Sequence, residues 1–479
     1  MTHQTDSDTI AAIATAPGAA AIGIVRLSGP AALSIADKVF CTSPPAHHSA
    51  IPPFHLSRPS ALLPSARPAN TFVHGYIVDA GGVIVDDVLM LLFRAPHSYT
   101  GEDAIELQGH GGSVATRQVL RAVLDAGARS AQPGEFTRRA FLNGRLDLVQ
   151  SEAVLELICA RSDAAANAAR EQLDGSLSRA LSELYDGALT VAADLEATLN
   201  FVEHELPAAV LQAIPARIQA VIAAADRLLA GWHEGRILRE GALVVIAGPP
   251  NAGKSTLFNL LLGQERTIVH HQPGTTRDLI EESLALQGLP IRLVDTAGLR
   301  ETSHEVENEG IRRTQNCLQI ADLILYVVDA MIGITADDRA ALGGLSPGKC
   351  IIVFNKHDLG VSDLKRHETA LHFAGAAVLA CSAKTGFGLT ALHQIILTQL
   401  QVNPGTSSHA SVSERHAKLL QAAIAELHCA ETVMTDTPEQ ASFAADHLRS
   451  AIENLGEITG RTYHDELLNA VFSRFCIGK

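Results

Sequence analysis

Gly248, Gly253, Lys254 and Ser255 stand in the spacing G-x-x-x-x-G-K-S, directly after the apolar run Ala242 to Ile246 and before the helix-forming run Thr256 to Leu262. Strand, glycine loop and helix in that order let backbone N–H groups converge on phosphate oxygens at a helix N-terminus. Lys254 then neutralises the outer phosphates, and the Ser255 hydroxyl is placed to ligate Mg²⁺. Asn251, Ala252 and Thr256 complete the wrap of the loop around the phosphates. The bland alternative, an ordinary strand-to-helix turn, leaves the flanking pattern unexplained.

Four further segments fall in the order that a guanine-nucleotide domain requires. Gly274-Thr275-Thr276-Arg277-Asp278 supplies Thr276 as a second hydroxyl for magnesium. Asp295-Thr296-Ala297-Gly298 follows the strand-like IRLV, bringing a carboxylate toward the metal and a glycine N–H toward a γ-phosphate. Asn355-Lys356-His357-Asp358 follows IIVF, and Asp358 can accept hydrogen bonds from both the N1–H and the 2-amino group of guanine, which adenine cannot offer. Such acceptors reject a ligand lacking the donors, so this element selects GTP over ATP. Ser382-Ala383-Lys384 after VLAC closes over the base. Position 299 is Leu, where many small GTPases carry the glutamine that orients the attacking water. Glu301, Glu305, Glu307 and Glu309 are candidates for that task, and each also reads as solvated surface charge.

These loops need strands to hold them, and the rest of the chain needs other domains. At 479 residues the chain is expected to form two to four domains. With 47% hydrophobic and 19% charged residues it has the composition of a folded globular protein. A formal net charge of -15 withholds the basic footprint of a protein that grips nucleic acid by itself, so an RNA role calls for a partner. The seven cysteines include no C-x-x-C pair, which fits reduced thiols and a cytoplasmic setting. The opening MTHQTDSD is acidic where a targeting peptide is basic, and the uncharged stretch from Ile10 to Val25 is broken by Pro17 and Gly18. No membrane segment is expected.

IGIVRL (22–27) reads as a strand and AALSIADKVF as the helix after Gly29-Pro30, while residues 41–70 carry prolines that favour an extended surface insertion. Strand signals return at FVHGYIV and VDDVLMLLFR, followed by a glycine-rich turn and the helix-like SVATRQVLRAVLDAG. From Leu146 the texture is Ala- and Leu-rich. Leu177, Leu181, Leu184, Ala188, Val191 and Leu195 alternate steps of four and three, the seam of a helix packed lengthwise on others. Helical texture over 411–470 offers more helices to the same bundle.

The G domain, together with SYTGEDAIELQGHGG (98–112), PGEFTRRAFLNGRLDLVQSEA (133–153) and the terminal FCIGK, resembles the tRNA modification GTPase family MnmE, also called TrmE, over essentially the whole chain. The resemblance implies a multidomain α/β plus all-α protein. Its parts are an N-terminal α+β folate-binding-like and dimerisation domain (1–145), a discontinuous helical bundle (146–240 and 403–479) and an inserted Ras-like P-loop G domain (241–402). It implies a homodimer that joins an FAD-dependent partner, MnmG or GidA, in a heterotetramer. That assembly would place aminomethyl or carboxymethylaminomethyl groups at C5 of the tRNA wobble uridine, with tRNA held mainly by the partner. A 5,10-methylene- or 5-formyltetrahydrofolate is the implied cofactor, beside GTP, Mg²⁺ and K⁺.

Carried over residue by residue, the resemblance makes Glu307 the group that orients water. It assigns folate to Arg26, Glu106, Arg145 and Lys479, and potassium to Asn251 with Thr275, His270 and Gln272 in the preceding loop. The loop PGAAAIG lacks the arginine of the family's PPGRGG. Cys476 matches the family's C-terminal cysteine and also reads as a small buried apolar residue. Two other readings stand beside this one: a G-domain switch in ribosome or complex assembly, and a stand-alone folate-dependent methyltransferase. The first lacks a GXXG-like clamp in a basic context, and the second leaves the guanine and magnesium elements without use.

Overall fold

The computed structural model describes residues 8–43, 63–160, 162–200, 208–232, 235–237, 241–265, 281–295, 317–360, 375–400, 412–433 and 438–479. They form two compact units, one of residues 1–155 with 455–479 and one of residues 156–454. The C-terminal CIGK thus belongs to the same unit as the N-terminal sheet.

The first unit is built on a seven-stranded sheet. Its elements are β1 (Ile10–Ile13), β2 (Ile22–Ser28), α1 (Ala32–Val39), β3 (Phe40–Cys41), β4 (Thr71–Val78), β5 (Ile84–Phe93), β6 (Ala104–His110), α2 (Ser113–Asp125), β7 (Arg129–Ser130) and α3 (Glu135–Leu142). The strand order is β3-β4-β5-β6-β2-β1-β7. All pairings are antiparallel except β1 with β7. Val25, Leu27, Val88, Met90, Leu92, Ile105 and Leu107 point to one face and bury against α1 and α2, as the two-residue period of a strand dictates. The opposite face carries the alternate residues, and the register lines up Phe72, Leu91, Glu106, Arg26 and Ala12 across five strands. Phe472 and Phe475 near the C-terminus form an aromatic cluster with Phe141 of α3.

The second unit combines helices with a second sheet. α4 (Leu148–Cys159) spans the division, and α5 (Asp163–Leu173), α6 (Ser176–Asn200) and α7 (Ala208–Ala230) follow. The predicted seam of α6, from Leu177 to Leu195, is buried at all six positions. Then come β8 (Ala242–Ala247), α8 (Lys254–Glu265), β9 (Glu281–Leu286), β10 (Leu289–Asp295), β11 (Leu323–Asp329), α9 (Ala336–Gly343), β12 (Cys350–Asn355), β13 (Ala377–Ala380) and α10 (Leu389–Leu400). The long helices α11 (Glu414–Val433) and α12 (Pro438–Thr459) and the short α13 (Asp465–Phe472) close the chain. α7 packs on both α6 and α11, so helices from either side of the second sheet meet in one bundle.

That sheet runs β13-β12-β11-β8-β10-β9, parallel except for the β9–β10 hairpin. Val244, Ile246, Leu325, Val327, Ile351 and Val353 bury on one face with Leu257 and Phe258 of α8 and Leu392 of α10. Val245, Ile324, Tyr326, Ile352 and Phe354 bury on the other with Cys317 and Leu342. Coverage on both faces explains why these strands read as unbroken apolar runs. In such a sheet the ligand crevice opens at the carboxyl ends of the strands, where the order reverses, and here that point is the end of β8.

Candidate nucleotide site and a second polar site

The turn after β8 is shaped by residues without room for a side chain. Gly248 has φ 136°, and a Cβ there would sit 2.1 Å from Val327 O. Gly253 has φ 91°, and its Cβ would sit 2.3 Å from Asn355 Nδ2. Only glycine fits both the dihedral and the space. Asn251 also lies in the left-handed region at φ 63°, which asparagine tolerates better than most residues. Lys254, with 8% exposure, donates through Nζ to Gly248 O at 3.0 Å and to Pro249 O at 2.8 Å, curling its ammonium back over the loop.

Strand register then delivers the acidic partner. Asp295 ends β10 opposite Ile246, so its carboxylate stands at the start of α8, where it accepts from Ser255 Oγ at 2.8 Å. A hydroxyl and a carboxylate converging beside a phosphate loop are the hard oxygen donors that Mg²⁺ takes. The same carboxyl edge presents Asp329 and Asn355, paired across β11 and β12. Lys356, at φ 64°, donates to Asp329 Oδ2 at 2.8 Å; burial pushes the Asp329 carboxyl pKa up, but this ammonium and the backbone N–H groups of Met331 and Ile332 outweigh it and leave the pKa lowered.

Asn355, 2% exposed, joins three loops: Nδ2 donates to Ala252 O at 2.9 Å and Oδ1 accepts from Ala383 N at 2.9 Å. Asp358 is held by Ser382, whose Oγ donates to Oδ1 at 2.6 Å and lowers the carboxyl pKa. Asn251, Ala252, Gly253, Lys254, Ser255 and Thr256, Asp295, Asn355, Lys356 and Asp358, and Ser382, Ala383 and Lys384 therefore stand at strand ends, in the loops that follow them and at the start of α8, along one edge of one sheet. Thr275, Thr276, Thr296, Ala297, Gly298, Glu307, His270 and Gln272 lie outside the described residues. Among the described residues no group of three or more His, Cys, Asp or Glu side chains is placed to hold a metal, and no helix is long and apolar enough to cross a membrane.

A second polar site lies on the other face of the first unit's sheet, where Phe136 of α3 buries against Ile10 and Ala12. Arg26 and Glu106 are direct cross-strand partners. Arg26 donates to Glu106 Oε1 from Nε at 3.0 Å and from Nη2 at 2.8 Å, with side chains 16% and 17% exposed. Arg26 Nη1 is buried with no hydrogen-bond partner, a cost that a ligand acceptor would remove. The guanidinium lies 5.4 Å from the Tyr99 ring and 5.7 Å from that of Phe136, and Lys479 Nζ lies 6.0 Å from the Tyr99 ring. Burial, then the neighbouring Arg26, lowers the Lys479 ammonium pKa, while Glu106 opposes them.

Arg26, Glu106 and Lys479 are thus brought together. Arg145 is exposed, with its Cγ against the Gly101 position, and no hydrogen bond or ion pair joins it to the other three. Tyr99 and Phe136 went unnoticed in the sequence; the signal for Tyr99 is its place in SYTGEDA, just ahead of the strand that carries Glu106. A cavity of about 470 Å³ opens in the same unit, lined by the 15–18 loop, Gly111, Thr116 and Ile477 among others.

The family description "GTP-binding protein TrmE N-terminus" matches residues 9–145, and "MnmE helical domain" matches residues 148–476. The tRNA modification GTPase MnmE of Symbiobacterium thermophilum is 43% identical over 98% of this chain and 99% of its own length. That of Moorella thermoacetica is 44% identical with the same coverage. Among solved structures, the G domain of the T. maritima FeoB iron transporter matches at 28% identity over 33% of this chain and 98% of that one, with a TM-score of 0.25.

Proposed function

The chain belongs to the MnmE family of tRNA modification GTPases, and we propose that its GTP hydrolysis is stimulated by potassium and serves modification at C5 of the wobble uridine with an FAD-dependent partner and a tetrahydrofolate one-carbon unit. The observation that carries the finer part of this reading is the buried Nη1 of Arg26, left without an acceptor beside Glu106 and Lys479. A reduced folate offers what such a group lacks. Its pterin presents a carbonyl and an amine to a paired Arg and Glu, its anionic tail suits a lysine, and its rings suit Tyr99 and Phe136. A bound tetrahydrofolate would supply the one-carbon unit; the residues here bind and orient it.

At the nucleotide site, Lys254 is suited to hold the outer phosphates and Asp358 to read guanine. Ser255 with Asp295, and Thr276 beyond the described residues, would hold magnesium, which supplies charge neutralisation at the phosphates. Asn251 would hold potassium, with Thr275 and the main chain at His270 and Gln272. Glu307 is the proposed group that orients water. The proposed homodimer draws support from the β4–β5 part of that sheet face in the first unit, where Phe72 is 75% exposed and Leu89 39%. The domain limits 1–145, 146–240, 241–402 and 403–479 remain part of this proposal.

Calorimetric titration with 5-formyltetrahydrofolate tests the folate reading. Binding is expected, with Arg26→Ala weakening it by roughly tenfold or more, as expected for a lost hydrogen bond to a charged group. Lys479 binds an anion only while protonated. Its lowered pKa therefore makes affinity fall with rising pH before the ordinary lysine value of 10.5 is reached. A flat trace for the unmodified protein removes the folate assignment.

A further inference from the structure

The ring of His357 stacks on Phe387 with centroids 5.1 Å apart and planes inclined by 15°. The two residues come from the two loops that meet around Asp358. His357 lies between Lys356 and Asp358, and its N–H donates to Cys381 O at 3.1 Å. Phe387 lies between Gly386 at φ 81° and Gly388 at φ 80°, and its carbonyl accepts from Ser382 N at 2.9 Å. Ser382 is also the residue whose hydroxyl holds the Asp358 carboxylate. Main chain, hydroxyl and stacked rings therefore tie one loop to the other at three points around a single carboxylate.

Phe387 is 55% exposed, so core filling does not account for it. Asp358 is itself exposed, and Ser382 is the side chain that holds its carboxylate. Without the ring pair, ordering the two loops becomes a cost met at binding, which weakens affinity and leaves chemistry alone.

We propose that the His357–Phe387 stack is a positioning latch for base recognition, fixing the Asn355–Asp358 loop against the Ser382–Lys384 loop so that Asp358 is aimed at the guanine edge before nucleotide arrives. The inference rests on the reading of Asp358 as the guanine acceptor. Neither ring is a catalytic residue; both act through Asp358.

The test uses the full chain, with stopped-flow dissociation of a fluorescent GDP analogue and steady-state hydrolysis of GTP and of ITP, which lacks the 2-amino group. Phe387→Leu keeps apolar bulk and loses the ring. His357→Ala loses the opposite ring. Each is expected to speed GDP release about three- to tenfold, the range an aromatic pair supports. Each is also expected to raise KM for GTP similarly, leave kcat unchanged and narrow the preference for GTP over ITP. The double variant should be no worse than either single, and Phe387→Tyr should retain the unmodified values. Release rates within twofold of the unmodified protein in Phe387→Leu, or two singles whose effects add, overturn the latch. Asp358→Asn run in parallel separates the failures. If it leaves guanine preference intact, the reading of Asp358 falls and the latch with it. If it changes the preference while Phe387→Leu changes nothing, the latch alone is rejected.

Discussion

Asn355 leaves no room for a side chain on Gly253: a Cβ added there would lie 2.3 Å from Nδ2, the atom that donates to Ala252 O. The base-recognition loop therefore braces the phosphate loop from behind. Gly253→Ala must displace Asn355 and hold alanine at φ 91°, so it is expected to weaken GDP binding by on the order of 10- to 1,000-fold. Fluorescent-nucleotide titration checks this, and unchanged affinity contradicts the bracing.

Asp358→Asn replaces an acceptor by an amide that can donate to a 2-oxo group. Guanine affinity is expected to drop by about 10² to 10⁴, while xanthosine nucleotides gain. Competition binding with GDP and XDP reads the switch directly; an unaltered guanine preference sinks the assignment.

Glu307→Ala should keep GTP affinity within about twofold and lower kcat by about 10² to 10⁴, because a group that orients water acts in the transition state. Rates for Glu301→Ala, Glu305→Ala and Glu309→Ala provide the comparison. If one of those carries the loss instead, Glu307 has been assigned wrongly.

Potassium is expected to raise the GTPase rate over sodium at equal ionic strength by roughly 10- to 10³-fold, within the range of a supplied positive charge at the phosphates. Asn251→Ala should erase most of that difference. Stimulation that survives the substitution shows that Asn251, held at φ 63°, serves only the turn.

The sequence makes the nucleotide edge legible because its signals are local. β8 is a short apolar run buried on both faces, the glycines that follow need φ and space no other residue has, and each recognition motif ends a strand. The α6 seam is equally local. β6 is harder to see: its alternation of Ile105 and Leu107 with Glu106, Gln108 and His110 is that of a strand covered on one face, but the glycines at 101, 109, 111 and 112 give the stretch the look of a turn. β1 hides in an alanine-rich stretch. The meeting of Arg26 with Glu106, 80 residues on, and with Lys479 at the end of the chain depends on strand order and on the unit to which the C-terminus returns. No local period encodes either. The resemblance supplied those residues, including Arg145, which is exposed and has no hydrogen bond or ion pair to the other three.

GTP hydrolysis by this chain is proposed to serve wobble-uridine modification. Mass spectrometry of nucleosides from tRNA of a strain lacking the gene tests it most directly, with complementation by the unmodified chain and by Asp358→Asn. C5-modified wobble uridine is expected to disappear, to return with the unmodified chain and to stay absent with Asp358→Asn. Unchanged wobble uridine in the deletion strain contradicts it.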